Sequence, residues 1–225
     1  MPDGSSYEGQ WNAENKRDGY GIEFNTNGNK YQGYWKNGLY ESYGIMVYAN
    51  GDIYEGYFRQ GVASGQGLLN ETEGGSYDGE WEHNKRNGHG TETQEDGSVF
   101  VGDYVNDKKC GYGKFTGSDG SKYTGDWVQD AIHGKGTFIW PNGNQYVGQW
   151  SDNKMNGHGN FKWASRNRRY DGNFENGVEH GYGIYTCEDQ GQYQGMWVNG
   201  VQHGKAQYVF PDGKVEMGIW NHGKI

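Results

Sequence analysis

The sequence predicts an all-β fold: an elongated solenoid of about nine two-stranded antiparallel hairpin repeats of 23 residues, forming a single meandering, twisted sheet. Three observations carry this. Aromatic residues recur at a fixed interval, glycines recur in fixed relation to them, and the 225 residues include 42 glycines but few aliphatic side chains. That much glycine on its own would suit disorder. The 19 tyrosines and 9 tryptophans argue the other way, because disordered chains lack rings that can bury area. A structured but thin architecture satisfies both.

The first element of each unit opens on Tyr7, Tyr31, Tyr54, Tyr77, Phe100, Tyr123, Tyr146, Tyr170 and Tyr193, and Glu216 opens a partial tenth. Residues 1–225 are thereby read as one solenoid. Two places after each opener stands a glycine, from Gly9 to Gly218, and two further on an aromatic, from Trp11 to Trp220. Period-two alternation puts all three on one face of a strand. The second element carries G-x-G, as in Gly134 and Gly136, with Ser42 and Ala206 as small substitutes. The same alternation aligns these glycines with Phe138 and Trp140, Phe161 and Trp163, or Tyr208 and Phe210. Turns close both ends: Asn37-Gly38, Asn176-Gly177 and Asn199-Gly200 within units, Asn27-Gly28, Asn142-Gly143 and Asp212-Gly213 between them.

Glycine weakens a strand unless another group must approach its backbone closely. The repeated glycines are therefore expected to leave slots in which rings lie flat on the sheet. Two strands per unit advance about 10 Å, so nine units make a rod on the order of 90 Å. Asn70, Glu71 and Thr72 replace apolar residues in the third unit, whose second strand is expected to pack loosely.

A net charge of -9 opposes attraction to nucleic acid. Cys110 and Cys187 lie far apart without CxxC spacing, which suits a reducing, cytoplasmic setting, and no apolar run is long enough to be a leader or a membrane span. His133, His180 and His203 share a column with Asp18, Asn87 and Cys110, so a solvated turn position explains them. Cys187 and His180 are about 23 Å apart along one strand, too far to bind one zinc. A zinc shared between two chains near the C-terminus is left open; no other cofactor is called for. Scattered carboxylates on a flat ribbon provide no acid–base pair in a pocket, and G-x-G followed by a strand is no phosphate cradle. The reading is non-enzymatic.

The pattern Y-x-G-x-W followed by G-x-G at 23 residues resembles the MORN repeat (membrane occupation and recognition nexus) over essentially the whole chain. Ser42, Ala206, Glu216 and the segment WASRNRRY depart from the pattern. The resemblance implies a scaffold with an aromatic-rich groove for partner peptides. It is greatest to MORN-only cytoskeletal proteins of apicomplexans and trypanosomatids, which dimerise through C-terminal units; ciliary radial-spoke proteins are an alternative. Pro2, Asp3 and Gly4 copy a between-unit turn, as expected of a C-terminal piece of a longer array.

Two sets of candidate residues follow. The place four residues past the second glycine varies along the chain, with Trp140, Trp163 and Phe210 clustering late. Together with Tyr185, Trp197, Tyr208 and Trp220 they form the candidate homodimer or partner surface. Basic pairs Lys16-Arg17, Lys85-Arg86 and Lys108-Lys109 are placed in within-unit turns, and Lys162, Arg166, Arg168 and Arg169 gather near one spot as candidate phosphoinositide contacts.

Overall fold

The computed structural model describes residues 4–165 and 167–223. The Pro2-Asp3 dipeptide and Arg166 lie outside the described residues. Nineteen strands, with no helix among the described residues, belong to one antiparallel sheet, and the chain falls into two units, residues 1–110 and 111–225.

The first unit holds β1 (Ser6–Trp11), β2 (Arg17–Phe24), β3 (Lys30–Lys36), β4 (Leu39–Val47), β5 (Ile53–Arg59), β6 (Val62–Asn70), β7 (Ser76–Glu82), β8 (Lys85–Thr93) and β9 (Val99–Val105). Each pairs with the next in sequence. The second holds most of β10 (Lys108–Thr116), then β11 (Lys122–Val128), β12 (Ala131–Ile139), β13 (Gln145–Ser151), β14 (Lys154–Trp163), β15 (Arg168–Glu175), β16 (Val178–Thr186), β17 (Gln192–Val198), β18 (Val201–Val209) and β19 (Val215–Trp220), paired in the same way.

Register explains the glycines. Every strand of the first unit contributes one glycine to a row crossing the sheet: Gly9, Gly21, Gly33, Gly44, Gly56, Gly67, Gly79, Gly90 and Gly102 face one another in turn. The second unit repeats the row, with Ala206 as its exception. Where a tyrosine opens the repeat, its ring lies over the glycine pair. A methyl group on Gly33 or Gly44 would fall within 3.0 Å of Tyr31, and one on Gly148 or Gly159 within 3.0 Å of Tyr146. The expected slots are present.

The ring lies there because its hydroxyl has a partner. Register shifts just after the first-strand glycine, as between Gly33 and Trp35 or Gly148 and Trp150, and the bulge residue drops out of the ladder of its own hairpin while staying paired with the preceding one. The tyrosine hydroxyl donates to that residue's carbonyl: Tyr31 to Tyr34 at 2.9 Å, Tyr123 to Asp126 at 3.0 Å, Tyr146 to Gln149 at 2.9 Å and Tyr193 to Met196 at 2.7 Å. A buried carbonyl left without a donor would cost about 1–3 kcal/mol, so the tyrosine repairs the bulge that its own glycine permits. Side chains of the bulge residues serve the opposite strand. Gln149 Oε1 accepts from the His158 amide at 2.8 Å, and Gln10 Oε1 from the Tyr20 amide at 2.8 Å.

The first glycine of G-x-G differs from the expectation. It lies at the irregular end of the hairpin with positive φ, as at Gly19 (95°), Gly134 (65°) and Gly157 (91°), so it serves backbone conformation and the second glycine serves the slot. Ser42 adopts φ 59° there, a conformation that costs a residue with a Cβ about 1–2 kcal/mol.

From the second repeat on, within-unit turns have positive φ at both central residues, the twist that matches hairpin strands. Asn37-Gly38 is one, but His83-Asn84, Asn106-Asp107 and Asp152-Asn153 manage it without glycine. There the second residue's side chain reaches the strand of the preceding repeat. Asn84 Oδ1 accepts from the Ala63 amide at 2.7 Å, Asp107 Oδ1 from the Arg86 amide at 2.8 Å and Asn153 Oδ1 from the Ile132 amide at 2.8 Å.

The core is one layer of rings on one face of the sheet. Tyr31, Tyr123, Tyr146 and Tyr170 are fully buried, and the second aromatics from Trp35 to Trp220 nearly so. Within a unit an opener touches its own second aromatic and the next one edge-on: Tyr31 meets Trp35 at 5.3 Å and Phe58 at 5.2 Å, Tyr170 meets Phe174 at 5.0 Å and Trp197 at 5.2 Å. Edge-to-face geometry at these distances adds about 0.5–1.5 kcal/mol per pair beyond burial.

Candidate functional site

Two further rows of side chains share the ring-bearing face: the residues opposite the openers, and those two places beyond. Their chemistry differs between the units.

In the first unit the row is ionic at its two ends, at Glu23 and Glu92, with Met46 and Leu69 between. Arg17 pairs with Glu23, whose other oxygen accepts from Tyr40 Oη at 2.8 Å, and the guanidinium lies 4.7 Å from the Trp35 ring centre. Burial pushes the Tyr40 hydroxyl up to about 12. Arg86 pairs with Glu92, and Lys109 Nζ lies 2.6 Å from the second Glu92 oxygen. Burial alone would raise the Glu92 carboxyl, but Lys109 and Arg86 together outweigh it and hold its pKa below the usual carboxylate range. Arg86 also faces the rings of Tyr104 at 5.3 Å and Tyr77 at 5.7 Å. These cations correct a sequence expectation: Arg17, Arg86 and Lys109 stand on strands and point onto the ring layer, where carboxylates neutralise them, because their strands begin one or two residues earlier than turn chemistry suggests.

Two hollows flank Leu69 in this unit. One of about 460 Å³ includes Tyr48, Trp81 and Asn84; one of about 390 Å³ includes Glu71, Arg86 and Glu92. Glu71 stands where the second unit has tryptophans, and Thr72 turns away to Asp52 Oδ1, its amide donating at 2.9 Å.

In the second unit the same rows form an aromatic ladder. Phe138 and Trp140 lie 4.7 Å apart, Trp140 and Phe161 5.3 Å, Phe161 and Trp163 4.6 Å, Trp163 and Tyr185 5.7 Å, with Tyr208 and Phe210 4.9 Å apart beyond. All are half-buried. Cys187 stands between the two groups, accepting from Tyr208 Oη at 3.9 Å, and burial pushes its thiol up. Trp197 and Trp220 belong to the core layer, 7% and 6% exposed. The structure thus brings together Trp140, Trp163 and Tyr185, sets Tyr208 and Phe210 beside each other, and places the other two beneath the surface.

The basic candidates divide between faces. Arg168 pairs across the ladder with Trp163 and lies 5.4 Å from its ring centre, its buried Nε without an acceptor. Lys162 and Arg169 are opposite each other on the other face, where Arg169 Nε donates to Thr186 Oγ1 at 3.3 Å. Arg166 lies outside the described residues.

Among the described residues, no group of three or more His, Cys, Asp or Glu could hold a metal ion. No helix is long and apolar enough to cross a membrane.

Sequence reasoning missed the Arg17–Glu23 and Arg86–Glu92 pairs. The signal was present as an arginine and a glutamate six residues apart around G-x-G, in RDGYGIE and RNGHGTE.

Among solved structures, the chain is similar to the wild-type TCP10 domain of Danio rerio CPAP, 12% identical over 96% of this chain and 95% of that one at a TM-score of 0.43. It is also similar to that domain in complex with a peptide of Danio rerio STIL, 12% identical over 94% and 98% at a TM-score of 0.34. No curated protein matches the sequence. The MORN repeat does, at residues 7–30, 31–53, 54–69, 77–99, 100–122, 123–145, 146–168, 170–192 and 193–215, its third segment stopping where Asn70 and Glu71 replace apolar residues. With most of its length in those segments, the chain belongs to the MORN-repeat family.

Proposed function

We propose that this chain is a non-enzymatic interaction scaffold that holds a partner peptide on the ladder of its second unit, associates with a second copy through its C-terminal strands, and organises cytoskeletal or membrane-associated assemblies. The observation carrying this reading is the ladder from Phe138 to Tyr185. It leaves large rings half-exposed in fixed geometry where the first unit has neutralised charges. Rings already held cost little entropy to bind against. Arg168 puts a guanidinium charge beside Trp163 at the ladder, which favours a partner with a carboxylate beside its apolar residues.

Peptides selected from a display library on the full chain test this. They are expected to combine apolar residues with an acidic one, and to bind Trp140→Ala/Trp163→Ala at least about tenfold more weakly. Equal binding by that variant would remove the ladder from the proposal.

Self-association is supported by β19, where Val215, Met217 and Ile219 are 51%, 75% and 67% exposed. Light scattering is expected to give a dimer mass for the full chain and a monomer mass for Met217→Lys/Ile219→Lys. A dimer that survives both charges does not use this strand. An anionic-lipid role is the weaker reading, since Lys162 and Arg169 would supply only about 1 kcal/mol each at a membrane surface. Flotation of phosphoinositide vesicles at low salt would revive it.

A further inference from the structure

The face opposite the ring layer carries an aromatic feature that the core does not explain. In the first unit, Tyr20 is opposite Tyr34 and Tyr43 is opposite Tyr57. Each pair is edge-to-face, with ring centres 5.5 Å apart. The four rings are 43%, 51%, 42% and 49% exposed. Corresponding pairs further along are Gln66 with Glu80 and His89 with Asp103, so the tyrosines are a local departure from the repeat. The bulge and the glycine slot do not require them, since those other pairs flank the same backbone features.

Their hydroxyls are organised. Gln32 Nε2 donates to Tyr20 Oη at 2.7 Å, which leaves that hydroxyl's proton for another acceptor, and Tyr43 Oη donates to Glu55 Oε1 at 2.5 Å. The row beside the tyrosines runs Glu8, Ile22, Gln32, Ile45, Glu55, Leu68, Asp78, with Glu8 and Glu55 on either side of a centre of Ile22, Gln32 and Ile45.

Spacing identifies the occupant. The two pairs are one repeat apart, two strands or about 9.6 Å. A polyproline II helix rises about 3.1 Å per residue with three residues per turn, so it presents the same edge every 9.3 Å or so. A segment running across β2 to β5 would place prolines three residues apart on successive tyrosine pairs. Its backbone carbonyls have no internal donors and would accept from tyrosine hydroxyls. An α-helix, repeating about every 5.4 Å, does not match. Acids at both ends of the centre complement basic residues flanking the prolines.

We propose that the tyrosine-bearing face of the first unit binds a proline-rich segment in the polyproline II conformation, flanked by lysine or arginine. This surface is separate from the ladder and stands whether or not the ladder binds peptides.

The test titrates a ten-proline peptide with an arginine at each end into the full chain, followed by fluorescence anisotropy. Saturable binding is expected, weakened about tenfold or more by Tyr34→Ala/Tyr57→Ala and unchanged by Trp140→Ala/Trp163→Ala. Both replaced tyrosines are exposed, and near-ultraviolet circular dichroism confirms that the core remains ordered. A Gly/Ser peptide with the same arginines is expected not to bind. The proposal is overturned if the proline peptide does not bind, if the Gly/Ser peptide binds as well, or if binding follows the tryptophans in place of the tyrosines.

Discussion

Gly159→Ala is expected to lower stability by about 3 kcal/mol or more, although it adds a single methyl group. That methyl would occupy the place of the Tyr146 ring. Overpacking costs about 1–3 kcal/mol. Displacing the ring also breaks the hydroxyl bond to the Gln149 carbonyl and exposes part of a fully buried side chain. Gly97→Ala makes the control. Gly97 has φ 85° and nothing within 4 Å of an added Cβ, so it should lose only the left-handed penalty of about 1–2 kcal/mol. Urea unfolding of the two variants decides the matter, and equal losses would mean that glycine serves backbone freedom in both places.

Removing Glu92 is the second large effect. Glu92→Ala takes from Arg86 and Lys109 the carboxylate that they share over the ring layer, and leaves Arg86 only the more distant Asp107 carboxylate at 3.7 Å. Breaking a fully buried pair costs about 3–5 kcal/mol; with Arg86 28% exposed, about 2–3 kcal/mol is expected. Arg86→Met/Glu92→Leu/Lys109→Ile should recover most of it, because Met155, Phe161 and Ile132 fill the same places in the second unit. The pH dependence has a definite sign. The folded carboxyl lies below its unfolded value, so its contribution is complete above the unfolded pKa and disappears as pH falls through the folded one. Stability of the parent chain should therefore drop more below about pH 4.5 than that of the Met/Leu/Ile variant. Parallel acid-unfolding curves would contradict the assignment.

These expectations show what the sequence displayed and what it concealed. The opener, the slot glycine and the second aromatic were legible because strand alternation maps residue spacing onto one face without needing any angle. The first glycine of G-x-G was misread as a slot glycine, since Gly19 and Gly21 look alike in sequence and differ only in φ. Arg17 and Arg86 were assigned to turns because neighbouring lysines and polar residues extend the turn composition into β2 and β8. Their partners lie across the ring layer, a relation that depends on where the bulge places the strand. For the candidate surface, spacing located Trp140 and Trp163 on the correct face. Trp197 and Trp220 stand in the second-aromatic column and lie buried in the ring layer.

The clasp between tyrosine hydroxyl and bulge carbonyl sorts the tyrosines by chemical reach. Those at repeat openings, such as Tyr31, Tyr54 and Tyr170, have buried rings, and burial pushes their ionisation well above the ordinary range. Nitrating or iodinating reagents, and any kinase, meet Tyr34, Tyr57, Tyr112 and Tyr182 first, since these lie open on the opposite side. Labelling of an opener would then report that its repeat had come apart, which makes the reactivity of each opening tyrosine a gauge of whether that single repeat is intact.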